Sequence, residues 1–286
     1  RSPGKMEPSF QLFLEQYKYI AGGNQQELDG ATAVLEELHK KPQSLQPLLE
    51  LLCTSNDRFY VMQALLGVSK LYDRFNEEMS TDIILSIIQA SFHVLDCFTD
   101  DNVVGESSRI LSLLLSRDDF DTFKEALLES TGQFLEGKPK ESLTLWTHLF
   151  SVTQIQDFDP FLPQIKNLLH THFISPNSSD QELAFKCFNK AVEMNYLEKM
   201  LQDDFLLIED VLTIAQNAFD NESEPYSICC QSASTIAQLV SGYIEVIADY
   251  TRPIVRLAGQ VIHDNKQPPA KRLIMFSVYN EFAVYD

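Results

Sequence analysis

The residues able to do chemistry are few and scattered. Six histidines occur, His39, His93, His148, His170, His172 and His263, and His170-Thr171-His172 is the one close pair. At i, i+2 on a helix two side chains diverge by about 200°, so the pair cannot grip one metal ion as an i, i+4 pair does. Cys229-Cys230 lies inside an apolar helical stretch, where free cysteine behaves as a small core residue; nucleophilic use needs a paired base, and none stands nearby in the sequence. Carboxylates cluster at Asp118, Asp119 and Asp121 and at Asp203 and Asp204, all at inferred turns or helix starts, where acids cap backbone N–H groups and complement the helix dipole. No H-E-x-x-H, G-x-S-x-G, G-x-G-x-x-G or Walker loop is present. The expectation is a protein that is not an enzyme and takes neither metal nor cofactor.

Charge and cysteine usage bound the setting. Across 286 residues, 22 Lys and Arg face 41 Asp and Glu, a formal charge of −19. Phosphate binding needs clustered cations, so direct nucleic-acid contact is not expected and a basic protein partner suits the charge better. Five cysteines, Cys53, Cys97, Cys187, Cys229 and Cys230, are odd in number, widely spaced and without a C-x-x-C pair, which points to a reducing compartment. The N-x-S matches at Asn177 and Asn221 read as chance. No apolar run approaches the roughly 18 residues of a membrane span, so insertion is not expected. The opening Arg1–Lys5 reads as a cloning scar, with the native start expected at Met6.

The elements that must position these residues read as helices almost throughout. Leu45, Leu48, Leu49 and Leu52 fall at i, i+3, i+4 and i+7, and Val61, Leu65, Val68 and Tyr72 form the next stripe, with Met62 and Leu66 beside it. Trp146 follows such a stripe too, which reads as core. Turn signals such as TSND, TDDN, EGKPK, SPNSSD and DNKQPP recur every one or two helices. The chain also resembles itself. In the stretches from Leu149 and Leu239 a Leu-x-Ser precedes a proline by 14 residues, at Pro163 and Pro253, 90 positions apart. A fainter copy near Met194, with DDFLLIEDVLTIAQNAF opening its second helix, halves the interval to about 45, the period of two-helix HEAT units. Because residues before proline avoid the helical region, Tyr250 to Arg252 are expected to break the chain between repeats.

The expected fold is all-α, a right-handed α-solenoid of about seven HEAT-type antiparallel helix pairs, at 8–40, 42–75, 78–116, 118–156, 158–195, 197–241 and 243–285. Residues 6–286 are expected to form one solenoid. A terminal repeat should be polar outside, yet Phe276, Val278, Tyr279, Phe282, Val284 and Tyr285 close the sequence, so it is expected to be the N-terminal part of a longer array.

The first repeats resemble those of importin-β-type nuclear transport receptors, the karyopherins. KPQSLQPLLELLC supplies the first helix of the second pair, and in SNDRFYVMQALLGVSKLYDRF the residues Ala64, Leu66, Lys70, Leu71, Arg74 and Phe75 hold the family's places. Tyr60 stands where an arginine is usual and Phe75 where a tryptophan is usual. FQLFLEQYKYI with QQELDGATAVLEELHKKP is similar to the first repeat. In SRDDFDTFKEALLE, Phe120 and Phe123 stand in for two tryptophans of the third. Specific motifs lie within residues 10–130.

The resemblance implies binding: Ran GTPase in its GTP form on the N-terminal pairs, protein cargo on the concave face, and phenylalanine-glycine repeats of the nuclear pore outside. It implies shuttling between cytoplasm and nucleus. Its candidate Ran-facing residues, polar positions on inferred second helices, are Gln26, Asp29, Arg58, Lys70, Arg74 and Glu106. Candidates for a basic cargo are Asp180, Glu182, Glu193, Glu222 and Glu224. The extended FDNESEPYSICC unit leans towards importins and NDRFYVMQALLGVSKLYDRF towards exportins, an import receptor being favoured. The alternative is a HEAT scaffold of another kind: phosphatase scaffold, vesicle coat or translation regulator.

Overall fold

The computed structural model describes residues 7–152, 156–202, 204–220, 225–245 and 247–283. The chain divides into two compact units, residues 1–154 and 155–286. Among the described residues every regular element is helical.

Unit 1 holds four helix pairs: α1 (Phe10–Gly22) with α2 (Gln25–Leu38), α3 (Leu45–Thr54) with α4 (Arg58–Phe75), α5 (Thr81–Cys97) with α6 (Asp101–Leu114), and α7 (Lys124–Gly137) with α8 (Pro139–Leu149). The first helices α1, α3, α5 and α7 pack in sequence as one layer, and the second helices α4, α6 and α8 as another. Local chemistry sets the starts. Asn24 and Glu27 form a capping box at α2, Asp57 accepts from the Phe59 and Tyr60 amides at α4, and Asp100 accepts from Asn102 and Val103 at α6. The apolar stripes then meet between the layers. Leu48, Leu52, Val61, Leu65, Val68, Ile87, Leu111 and Trp146 are all at most 1% exposed. Leu66, placed beside the stripe by the sequence pattern, instead faces solvent at 37% exposure.

Unit 2 repeats the plan. α9 (Leu162–Phe173) pairs with α10 (Ser178–Glu193), α12 (Leu206–Asp220) with α13 (Tyr226–Tyr243), and α14 (Thr251–His263) with α15 (Pro269–Ala283); a short α11 (Leu197–Leu201) packs on α9. Its first helices start at Leu162, Leu206 and Thr251, at intervals of 44 and 45 residues, while those of unit 1 start at Phe10, Leu45, Thr81 and Lys124, at intervals of 35, 36 and 43. A period near 45 therefore runs through unit 2, where the self-resemblance was read, and is already approached by the last interval of unit 1. One assignment changes. The stretch 203–219 does not open a second helix; α12 joins α9 and α14 in the first-helix layer, because α11 occupies the turn after α10.

The proline joints also differ in detail from expectation. Thr251 is helical at φ −55°, ψ −49°, Arg252 lies within α14, and Pro253 occupies its first turn. The first amides of a helix have no intrahelical acceptor, so a proline there forfeits no bond and the preceding residues stay helical. The break lies upstream, in a 3₁₀ turn over Ala248–Tyr250, matched before α9 by one over Gln156–Phe161. At α15 Val278 is buried, while Leu273, Phe276 and Tyr279 are exposed; the side chain of Phe282, and Val284 and Tyr285, lie outside the described residues.

Candidate protein-binding surface

The six positions proposed for a GTPase contact fall on second helices: Gln26 and Asp29 on α2, Arg58, Lys70 and Arg74 on α4, and Glu106 on α6. All but Glu106 are exposed. The structure gives most of them intramolecular work. Gln25 Nε2 donates to Asp29 Oδ1 at 2.8 Å. Arg58 Nε lies 3.0 Å from Oδ2 of Asp100, the cap of the neighbouring second helix, a largely exposed pair that contributes at most about 1 kcal/mol. Glu106 accepts from Ser69 Oγ at 2.7 Å and from Arg109 Nε and Nη2 at 3.0 and 2.7 Å, which ties α4 to α6. Burial by itself raises the Glu106 carboxyl, but the hydrogen bonds from Arg109 and Ser69, with the Arg109 charge, hold it below the usual carboxylate range. The same contact raises the Arg109 guanidinium.

Lys70 and Arg74 are brought together. With Glu36, His39, Lys40 and Asp73 they line an open hollow of about 580 Å³ at the ends of α2 and α4. Arg74 Nη1 donates to the His39 carbonyl at 3.1 Å and so caps the C-terminus of α2. Behind it the His39 ring stacks on Phe13, centroids 6.1 Å apart, and its Nε2 is buried without a hydrogen-bond partner. Gly67 of α4 permits this approach: a Cβ there would stand 3.0 Å from His39 Nε2 and 2.9 Å from Leu48 Cδ1. Burial first, then the Lys70 and Arg74 charges, push the His39 imidazole down to about 4, so it is neutral near pH 7 and adds no charge to the hollow.

The arginine cap repeats one pair further on. Arg117, 43 residues after Arg74, donates from Nη1 to the Asn76 carbonyl and from Nη2 to Met79 O at 3.3 Å, while Nε and Nη2 hold Asp119 at 2.7 and 2.9 Å. An arginine in the last turn of α4, Arg74, and another three residues past the end of α6, Arg117, were the available signal for these caps. Tyrosines bridge pairs in the same way. Tyr17 Oη donates to Gln63 O at 3.2 Å and Tyr72 Oη to Leu113 O at 3.3 Å, and burial pushes both phenols up.

In unit 2, Asp180, Glu182 and Glu193 lie on the second helix α10 as expected; Glu222 and Glu224 lie outside the described residues. Asp180 accepts from Ser175 Oγ at 2.9 Å, Glu182 from Ser227 Oγ of α13, and Glu193 pairs with Lys190 at 2.7 Å. These acids therefore hold the scaffold's own turns and helix contacts, and a ligand would compete with those partners. His170 and His172 point apart, as their spacing requires. His170 Nδ1 meets Asp210 Oδ2 at 2.7 Å, joining α9 to α12, and His172 Nδ1 faces Leu168 O. Burial raises the Asp210 carboxyl in spite of that partner. Cys229 is buried, as expected of a core residue, and Asp204 caps the Leu206 amide at 2.9 Å. Among the described residues no cluster of three or more ligand side chains is placed to hold a metal ion, and no helix is long and apolar enough to cross a membrane.

No family model matches the chain, and no curated protein matches it. Among solved structures, an engineered protein matches at 12% identity and a TM-score of 0.45, over 96% of this chain and 97% of its own. A designed armadillo repeat protein, in complex with the peptide (KR)4, matches at 13% identity and a TM-score of 0.42, over 94% of this chain and 98% of its own. With TM-scores below 0.5 the architecture rests on this chain's own helix pairing, and that pairing makes it an all-α helical-repeat scaffold.

Proposed function

We propose that this scaffold works by binding rather than by chemistry, as a nuclear import receptor of the importin-β type. In this reading the second helices of unit 1 engage Ran in its GTP form, and acidic positions of unit 2 engage a basic cargo. The observation that supports it is positional: the six resemblance-derived candidates all fall on α2, α4 and α6, and Lys70 and Arg74 meet in one hollow where Lys70 is exposed. A net charge of −19 favours a basic cargo by steering its approach. Pore phenylalanine-glycine repeats and passage between cytoplasm and nucleus belong to the same proposal.

Retention of the whole chain on immobilised Ran, loaded with GTP or with GDP, tests the reading. GTP-selective retention is expected, and the double variant Lys70→Glu/Arg74→Glu should weaken it about tenfold or more. Equal retention in the two nucleotide states, or none, would sink the receptor reading and leave a protein-binding scaffold of another kind.

A further inference from the structure

Two of the five thiols stand apart from the core. Cys187 and Cys229 are buried, Cys230 is half-buried, and Cys53 and Cys97 are exposed. Cys53 is the penultimate residue of α3 and Cys97 the last of α5, and these helices pack side by side in the first-helix layer of unit 1. The exposed His93, one turn before Cys97 on α5, places Nε2 3.6 Å from Cys97 Sγ. Burial first, and then the neighbouring Cys97, push the Cys53 thiol up.

We propose that Cys53 and Cys97 form an oxidisable thiol pair, with His93 as the proton acceptor, that closes into a disulfide between the second and third helix pairs. The oxidant is hydrogen peroxide. With Nε2 unprotonated, His93 takes the Cys97 proton. The thiolate attacks one peroxide oxygen, an S–O bond forms as O–O breaks, and hydroxide leaves as water once protonated. Cys53, losing its own proton, then attacks the sulfenic sulfur; S–S forms, S–O breaks and a second water departs. The two thiols are oxidised by two electrons and one peroxide is reduced to two waters. Cys97 reacts first because it has the base, and Cys53 resolves because it sits across the α3–α5 contact. The product staples α3 to α5 within the first-helix layer of unit 1.

The test uses the whole chain at micromolar concentration with stoichiometric hydrogen peroxide, followed by alkylation, non-reducing digestion and mass spectrometry. A peptide pair joined through Cys53 and Cys97, lighter by two hydrogens and within one chain, is the expected product. Cys97→Ser and Cys53→Ser should abolish it, and His93→Gln should slow its formation several-fold while circular dichroism stays unchanged. Recovery of the two cysteines as separate alkylated or over-oxidised residues would overturn the proposal. So would pairing with Cys230 or with a second chain, or a His93→Gln variant that closes at the wild-type rate.

Discussion

At the scale of single residues, burial follows from the helical period, whereas hydrogen-bond partners follow from how helices meet. Stripe residues such as Leu48, Leu65 and Trp146 are buried as their spacing demands, because a 3.6-residue period leaves one face to pack. Arg58 and Glu106 could be placed on second helices, yet their partners Asp100 and Ser69 depend on how neighbouring pairs meet, while Arg109 is an i, i+3 partner on α6 itself. His39 read as one of six scattered histidines; that Gly67 would let it sit against α4 was not legible, since that contact joins residues 28 apart. Its burial carries a pH signature. The folded ring titrates at about 4 and an unfolded one near 6.5, so between those values the unfolded chain binds more protons. The contribution is complete above about pH 6.5 and is lost as pH falls towards 4. It amounts to about 1–2 kcal/mol once solvent screening of a partly exposed ring is allowed for. Urea midpoints measured between pH 6.5 and 5 should therefore fall more steeply in the wild type than in His39→Gln, a window above the range in which the paired carboxylates titrate. Parallel slopes would show that His39 is not the group responsible.

At the scale of elements, helix pairing was legible because the pairs carry apolar stripes separated by turns, several with a side-chain cap such as Asn24, Asp57 or Asp100. What was missed has two physical sources. Proline was weighed by its effect on the preceding residue, whereas in the first turn of α14 that effect is outweighed by the absence of any bond to lose. The five-residue α11 is too short to show periodicity, so α12 was assigned to the wrong layer. Helix ends carry the other omission, the arginine caps, and they are unequal. Arg74 serves one carbonyl from an exposed position, while the Arg117 side chain is 11% exposed and serves two carbonyls and Asp119. Removing a buried donor strands the acceptors at the end of α4. Arg117→Met is expected to cost about 2–4 kcal/mol in urea denaturation and Arg74→Met about 1 kcal/mol or less. A ranking in the opposite order would mean that these bonds do not hold the helix ends.

At the scale of the whole molecule, helix-pair stacking makes most contacts local, which is why composition and period carried so much of the architecture. The division into units was not visible, because no glycine- or proline-rich linker marks residues 153–155. Unit 1 encloses a core running from Phe13 through Leu71 and Ile88 to Trp146 and Phe150, each at most 1% exposed, and its eight helices supply both layers. A chain of residues 7–152 should therefore fold alone, with helical circular dichroism and one cooperative urea transition. Leu71 provides the quantitative check. It is fully buried on α4, and Leu71→Ala leaves a cavity that costs about 2–4 kcal/mol. If unit 1 is a self-sufficient folding unit, that cost will agree between the 7–152 chain and the whole protein to within about 0.5 kcal/mol. A fragment that melts without cooperativity, or one in which Leu71→Ala is silent, would show that the core needs the remainder of the chain.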